Sequence, residues 1–189
     1  MKLPPDLLVR AYAAGVFPMP DERGVIGWYQ PDPRAILPLE QFHASRSLQR
    51  KLRKNIFDVT FDKDFLGVMQ GCAERPSTWI TEDFYEGYCA LHHLGLAHSV
   101  EVWQDGKLVG GTYGVQLGGA FFAESKFHRV TDASKVALAK LVEHLREKNF
   151  GLLEVQFLTE HLAQFGVIEV PHKEYMKLLK AALKRSCSF

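Results

Sequence analysis

Residues 151–166 read Gly151-Leu152-Leu153-Glu154-Val155-Gln156-Phe157-Leu158-Thr159-Glu160-His161-Leu162-Ala163-Gln164-Phe165-Gly166. Leu152 to Leu158 has the length and apolar content of a short buried strand, interrupted by two polar residues. Side chains alternate faces along a strand, so Glu154 and Gln156 are expected to point the same way. A carboxylate inside an apolar run is costly unless a partner satisfies it. Two readings stay open: an edge strand with one wet face, or a site in which a base or orienting carboxylate has an amide two residues on.

This strand decides the fold because of what surrounds it. Asp132 to Lys148 reads as a long amphipathic helix with Val136, Leu138, Leu141, Val142 and Leu145 on its apolar side. Before it, Ala97 to Trp103 is a strand and Asp105-Gly106 is a two-residue hairpin signal. Lys107 to Gln116 is the return strand, and Gly118-Gly119 turns the chain into a third, Ala120 to Glu124. After it come a short helix at Glu160–Gln164, an extended Glu169–Pro171, and a last helix over His172–Lys184. Two hairpins followed by a crossover helix imply a mixed sheet, with the next strand beside an earlier one. The order β-β-β-α-β-α-β-α is that of a Gcn5-related acyltransferase domain, an α/β (α+β) class. Fold analogy alone gives no function.

The amino-terminal third is read more coarsely. Asp6 to Ala14 is helix-like, with Leu7, Leu8, Ala11 and Tyr12 on one side and Gly15 as its end. Trp28-Tyr29-Gln30-Pro31-Asp32-Pro33-Arg34 must be extended or turned, because each proline restricts the residue before it. Ser45 to Lys54 is a helix with Ser45 as N-cap. Phe57, Val59 and Phe61 alternate with polar residues as a half-buried strand, and Asp64–Cys72 and Glu82–Leu94 read as helices. The expected division is a small amino-terminal domain, residues 1–62, followed by the acyltransferase-like domain, residues 63–189.

Composition sets bounds. The chain has 189 residues, 47% hydrophobic and 24% charged, which is ordinary for a globule able to bury a core. A net charge of +1 means that a polyphosphate partner would have to meet a local patch. No apolar run approaches the ~20 residues of a membrane span, and the start Met-Lys-Leu-Pro-Pro-Asp has no apolar signal core. Cys72, Cys89 and Cys187 are far apart and form neither metal spacing nor a disulfide framework, which fits reduced thiols in a cytoplasmic protein.

Several constellations carry chemistry. Phe121-Phe122-Ala123-Glu124-Ser125-Lys126-Phe127 places a second carboxylate in apolar company. If Glu124 and Glu154 lie on neighbouring strands, their proximity raises at least one pKa and suits a proton acceptor. Otherwise both are strand-end surface residues. Asp132 is a good N-cap for the long helix. The turn Arg129-Val130-Thr131-Asp132-Ala133-Ser134 lacks the glycines of a coenzyme A pyrophosphate loop, and Asp132 would repel phosphate, which argues against that cofactor. Arg46, Arg50 and Lys54 recur every four residues with Lys51 and Arg53 among them, giving either a phosphate-binding stripe or a solvated helix face. Trp79, in a Pro-containing loop after Ser77-Thr78, and Tyr88 are either core residues or stacking groups at a pocket mouth. The histidines show no ligand spacing, and no Ser-His-Asp pattern or GxSxG is present, so no metal is expected.

With these pieces named, the chain resembles the bacterial leucyl/phenylalanyl-tRNA–protein transferases nearly end to end. The matching segments are Ala11 to Pro18, Trp28 to Ala35, Phe42 to Leu48, Thr78 to Thr81, His98 to Trp103, Val109 to Val115, Glu124-Ser125, Ala133 to Lys135 and Gln156 to Leu162. The resemblance implies transfer of leucine, phenylalanine or sometimes methionine from aminoacyl-tRNA to the N-terminal α-amine of a protein beginning with Arg or Lys, marking it for degradation. It implies a cytoplasmic monomer with no coenzyme A, metal or membrane. Glu154 and Gln156 take the place of the family's proton relay or positioning pair. Glu124 holds the acceptor amine or the terminal adenosine region, and Trp79 and Tyr88 line the aminoacyl-adenosine site. Phe121, Leu138 and Leu141 match the apolar pocket for the amino acid, and Arg46, Arg50, Lys51 and Lys54 meet the acceptor stem.

Three departures stand out. Position 154 is Glu where members often have Asp. Thr112 and Lys126 stand where the family offers apolar residues to the pocket, so Lys126 either snorkels out or shifts the preferred amino acid. Members usually carry a longer amino-terminal segment. These differences leave a non-catalytic tRNA- or N-terminus-binding module as the alternative.

Overall fold

The fold is that of a computed structural model, which describes residues 2–21, 23–74 and 78–189. Its centre is a seven-stranded sheet. The sheet's middle is made by β5 (Ala97–Gln104), β6 (Lys107–Leu117) and β7 (Ala120–His128), joined by the two tight turns. Asp105 and Gly106 both take positive φ, as a two-residue hairpin turn requires. The helix α5 (Ala133–Glu147) crosses over and delivers β8 (Leu152–Gln156) parallel to β7, while the neighbouring strands pair antiparallel. The mixed α/β sheet expected from the hairpins and the crossover helix is therefore present. α5 buries Val136, Leu138, Leu141, Val142 and Leu145.

The rest of the sheet comes from segments that read less clearly. On the far side of β8 lies β3 (Arg34–Ile36), a three-residue strand, and beyond it β9 (Ile168–Val170). On the other edge β4 (Asp58–Phe61) pairs with β5. The sheet thus takes β3 and β4 from residues 1–62, and the expected division at 62 does not follow it.

Among the described residues the longer helices besides α5 are α1 (Pro5–Ala13), α2 (Arg46–Lys54), α3 (Phe65–Ala73), α4 (Glu82–His93) and α7 (His172–Leu183). A short α6 (Glu160–Ala163) and a hairpin of β1 (Phe17–Pro20) with β2 (Ile26–Tyr29) lie between them. Ser45 caps α2 through its hydroxyl as expected, accepting from the Leu48 N–H at 3.3 Å. Gly15, φ +76°, ends α1. One apolar cluster joins α1, α3, α4 and α7 on one face of the sheet, and a second joins α5 to the other. Among the described residues no helix is long and apolar enough to cross a membrane.

Candidate active site

Glu124 owes its direction to a bulge. Thr112 pairs with Lys126 and Tyr113 with Ser125, but Gly114 pairs with Ala123, so Glu124 is the extra residue on β7. A bulge bends the strand and re-aims a side chain. Gly114 makes it possible, because a Cβ there would lie 2.3 Å from the Phe122 carbonyl oxygen and 2.5 Å from the Phe121 ring.

The Glu124 carboxylate is 7% exposed and takes three neutral donors. The Tyr12 hydroxyl donates to Oε1 at 2.7 Å, and the Tyr88 hydroxyl and the Gln156 amide each donate to Oε2 at 3.2 Å. The two tyrosine oxygens are 2.5 Å apart. Burial and the nearby Glu154 push the Glu124 carboxyl up to about 8, against the pull of these hydrogen bonds. Burial and the Glu124 charge hold both tyrosine hydroxyls well above their ordinary value, so they remain neutral donors.

Glu154 sits on the neighbouring strand, between Phe122 of β7 and Ile36 of β3. It is fully buried, and its partner is Arg34, itself 1% exposed: Nη1 donates to Oε1 at 3.2 Å. Arg34 also donates from Nη2 to the Gly15 carbonyl at 2.6 Å and lies over the Phe17 and Tyr175 rings, at 5.1 and 4.4 Å. Burial pushes the Glu154 carboxyl up, while Arg34 and a backbone N–H oppose the rise. That N–H belongs to Gln156, 2.7 Å from Oε1. Gln156 has φ +64°, and the Phe157 N–H closes a tight turn onto the Val155 carbonyl at 2.8 Å. The strand ends in this turn, and both side chains meet groups of the first apolar cluster: Gln156 through Glu124 with Tyr12 and Tyr88, and Glu154 through Arg34 with Phe17 and Tyr175.

Glu124 and Gln156 floor a cavity of about 340 Å³. Of the residues singled out in the sequence, Glu124, Gln156, Trp79, Thr112 and Leu138 line it, as does Lys126. Tyr88 is buried behind the wall and reaches the site through its hydroxyl. Three others of the residues singled out for the site do not line it. Glu154 lies outside the lining, beneath the floor. Phe121 and Leu141 are core residues of the cluster packed around α5. The Thr112 hydroxyl donates to the Ser125 carbonyl at 2.9 Å. The Pro-containing loop before Thr78 falls on residues 75–77, outside the described residues.

The basic stripe divides. Arg46, Arg50 and Lys54 are exposed on α2. Lys51 instead turns inward to Asp132 at 2.5 Å, and Lys135 meets the same carboxylate at 2.9 Å. Asp132 has φ +71° and makes no side-chain cap, so the N-cap role expected of it is replaced by two ion pairs. Arg34 and Tyr12 are the functional groups that the sequence reading missed. Arg34 carried the same signal as Glu154, a charge opening an apolar run, Ala35-Ile36-Leu37. Tyr12 was placed on the apolar face of its helix, a pattern silent on its hydroxyl.

Family models match this chain over most of its length. "Leucyl/phenylalanyl-tRNA protein transferase" matches residues 36–180, and the amino-terminal domain of the same family matches residues 1–32. The leucyl/phenylalanyl-tRNA–protein transferase of Herpetosiphon aurantiacus is 56% identical over 189 residues, covering 100% of this chain and 98% of that protein. The corresponding protein of Ruegeria pomeroyi is 51% identical over 191 residues, covering 100% and 91%. Among solved structures, a GCN5-related N-acetyltransferase-like protein from Streptococcus suis matches with TM-score 0.46 and 16% identity, over 87% of this chain and 63% of that one. Matched by both family models and half identical to such relatives over its whole length, the chain belongs to the leucyl/phenylalanyl-tRNA–protein transferase family.

Proposed function

We propose that this protein transfers leucine or phenylalanine, and methionine less well, from aminoacyl-tRNA to the N-terminal amine of a protein beginning with Arg or Lys, marking it for degradation. The observation that carries the reading is the Glu124 carboxylate, buried on the floor of the cavity with three neutral donors on it and pushed up to about 8 by burial and the nearby Glu154 against the pull of those donors. Aminolysis of an ester needs a neutral amine, a proton acceptor and a donor for the carbonyl oxygen. An α-ammonium has a pKa of about 7.7–8.0, so proton exchange with Glu124 is close to balanced. Glu124 takes the proton as the amine attacks and gives it to the departing ribose oxygen as the ester bond breaks, and Tyr12 and Tyr88 stabilise the carboxylate while it is charged.

Gln156 orients the ester. Its amide has two N–H donors. One is used on Glu124, and the second serves the carbonyl oxygen. Glu154 does not touch substrate in this reading. It holds the Gln156 backbone N–H, and Arg34 holds Glu154, so the pair fixes the turn that presents the amide. Trp79 and Leu138 wall the donor's aminoacyl end, and the exposed Arg46, Arg50 and Lys54 face the acceptor stem, where shape and phosphates are read.

The test is a panel of charged tRNAs offered with a peptide starting in Arg, beside one starting in Ala. Extension of the Arg peptide by leucine or phenylalanine supports the reading. Saturable tRNA binding without extension by any donor would refute it in favour of a binding module.

A further inference from the structure

A second cavity of about 480 Å³ opens beside the first, and Lys126 and His161 stand in the walls of both. Its lining also includes Glu74, His128, Arg129 and Ser134. Glu74 is the lining's carboxylate, and Arg129 occupies it with two N–H donors at 2.6 and 3.0 Å. Lys126, His128, His161 and the Ser134 hydroxyl also stand in this lining. Ser134 Oγ lies 3.3 Å from His128 Nδ1. Burial, together with Lys126, Lys135 and His128, holds the His161 imidazole below its ordinary value, which shows how closely the positive groups gather.

The position is as informative as the charge. On one side, Lys126 and His128 continue along β7 from Glu124, roughly 7 and 13 Å away at the rise of a strand. On the other, Ser134 is two residues from Asp132, which Lys51 of α2 grips. The cavity therefore bridges the floor of the first cavity and the exposed arginines of α2. An aminoacyl ester carries its first phosphate on the far side of one ribose. A donor whose carbonyl sits over Glu124 and Gln156 needs an anion site at that distance, on the way to the basic helix.

We propose that the second cavity binds the phosphodiester joining the donor's last nucleotide to the one before it, with Lys126, His128 and Ser134 as its ligands. The inference rests on the aminoacyl-tRNA reading above. A phosphodiester is a permanent anion that accepts from ammonium, imidazole and hydroxyl donors together. Lys126, where the family offers an apolar residue, then serves the nucleic-acid backbone while its methylenes complete the apolar wall of the first cavity.

Two small donors test this: a leucyl ester of adenosine, which has no phosphodiester, and a leucyl ester of cytidylyl-adenosine, which has one. With the intact protein and an Arg peptide, the phosphodiester should raise kcat/KM tenfold or more. Lys126→Met and the pair His128→Ala/Ser134→Ala should each reduce that ratio at least fivefold, and Lys126→Arg should keep most of it. A wild-type ratio near one, a ratio unchanged in both variants, or equal loss with both donors would overturn the proposal. Failure of the wild-type protein to extend the peptide from any donor, tRNA included, would instead sink the transferase reading itself.

Discussion

Removing the guanidinium of Arg34 leaves Glu154 alone in the interior, and the structure sets the size of the effect. The two charges are 3.2 Å apart, and their side chains are 1% and 0% exposed. At an effective dielectric constant near 20 their attraction is about 5 kcal/mol, offset by the desolvation of both ions. Breaking such a pair from one side costs about 3–5 kcal/mol, because the surviving charge stays buried. Arg34→Met keeps the bulk between Phe17 and Tyr175 and removes the charge. A chain of 189 residues should lose roughly 2–4 °C of Tm per kcal/mol, so the expected fall is roughly 6–20 °C. Glu154→Gln, which strands Arg34, should cost a similar amount. The double variant carries neither charge and should lose much less than the sum, with a coupling of about 2 kcal/mol or more in urea unfolding. Additivity within about 0.5 kcal/mol would mean that the ion pair does not hold these strands together, and the positioning role given to Glu154 would go with it.

Three further outcomes are expected. Glu124, raised from 4.5 to about 8, keeps a proton in the folded chain that the unfolded chain has released, so stability falls as pH rises through that window. In Glu124→Gln the fall measured by urea unfolding at pH 5 and pH 8 should shrink, transfer should slow by about 10²–10⁴, and an unchanged pH slope would contradict the raised carboxyl. Gly114→Ala places a methyl 2.3 Å from a backbone oxygen at the bulge and should cost about 1–3 kcal/mol. It should depress transfer as well, and a variant with wild-type melting and activity would remove the bulge from the argument. Arg46→Glu/Arg50→Glu should weaken tRNA binding and flatten its salt dependence by roughly 0.7–0.9 in the log–log slope for each lost phosphate contact. Binding with the wild-type slope would put the acceptor stem on another face.

The parts of the fold that could be read in the sequence were those with a period or a turn residue. Asp105-Gly106, the apolar stripe of α5 and the Ser45 cap are local signals, and each is where the sequence puts it. β3 carries no such signal. It has three residues in a proline-rich stretch, too few to show alternation, and it joins the sheet through partners about 120 residues away. The site divides along the same line. Glu124, Glu154 and Gln156 were visible as polar residues in apolar runs. Their roles depend on a register shift in β7 and a positive φ at Gln156, which no side-chain pattern encodes. Lys51 and Asp132 were each assigned a local role, and a contact across 81 positions gave them a shared one.

Two carboxylates serve the site, Glu124 in its floor and Glu154 beneath it, and they differ in their partners. Both are pushed up by burial. Glu154 has a guanidinium against it, so its charge is compensated whether or not a substrate is bound. Glu124 has only hydroxyls and an amide. Such donors share out a negative charge without cancelling it, and a buried carboxylate so placed favours the protonated form until a cation arrives. The α-ammonium of an acceptor polypeptide is a cation that can also give up its proton. Entering the cavity, it would lower the Glu124 pKa by direct attraction, so that the carboxyl releases its proton to solvent, and the amine would then give a proton to the carboxylate as it attacks. A Lys or Arg in place of the tyrosines would supply the missing charge permanently and leave nothing for the substrate to do. The neutral character of Tyr12 and Tyr88 is therefore as much a part of the chemistry as the carboxylate they hold.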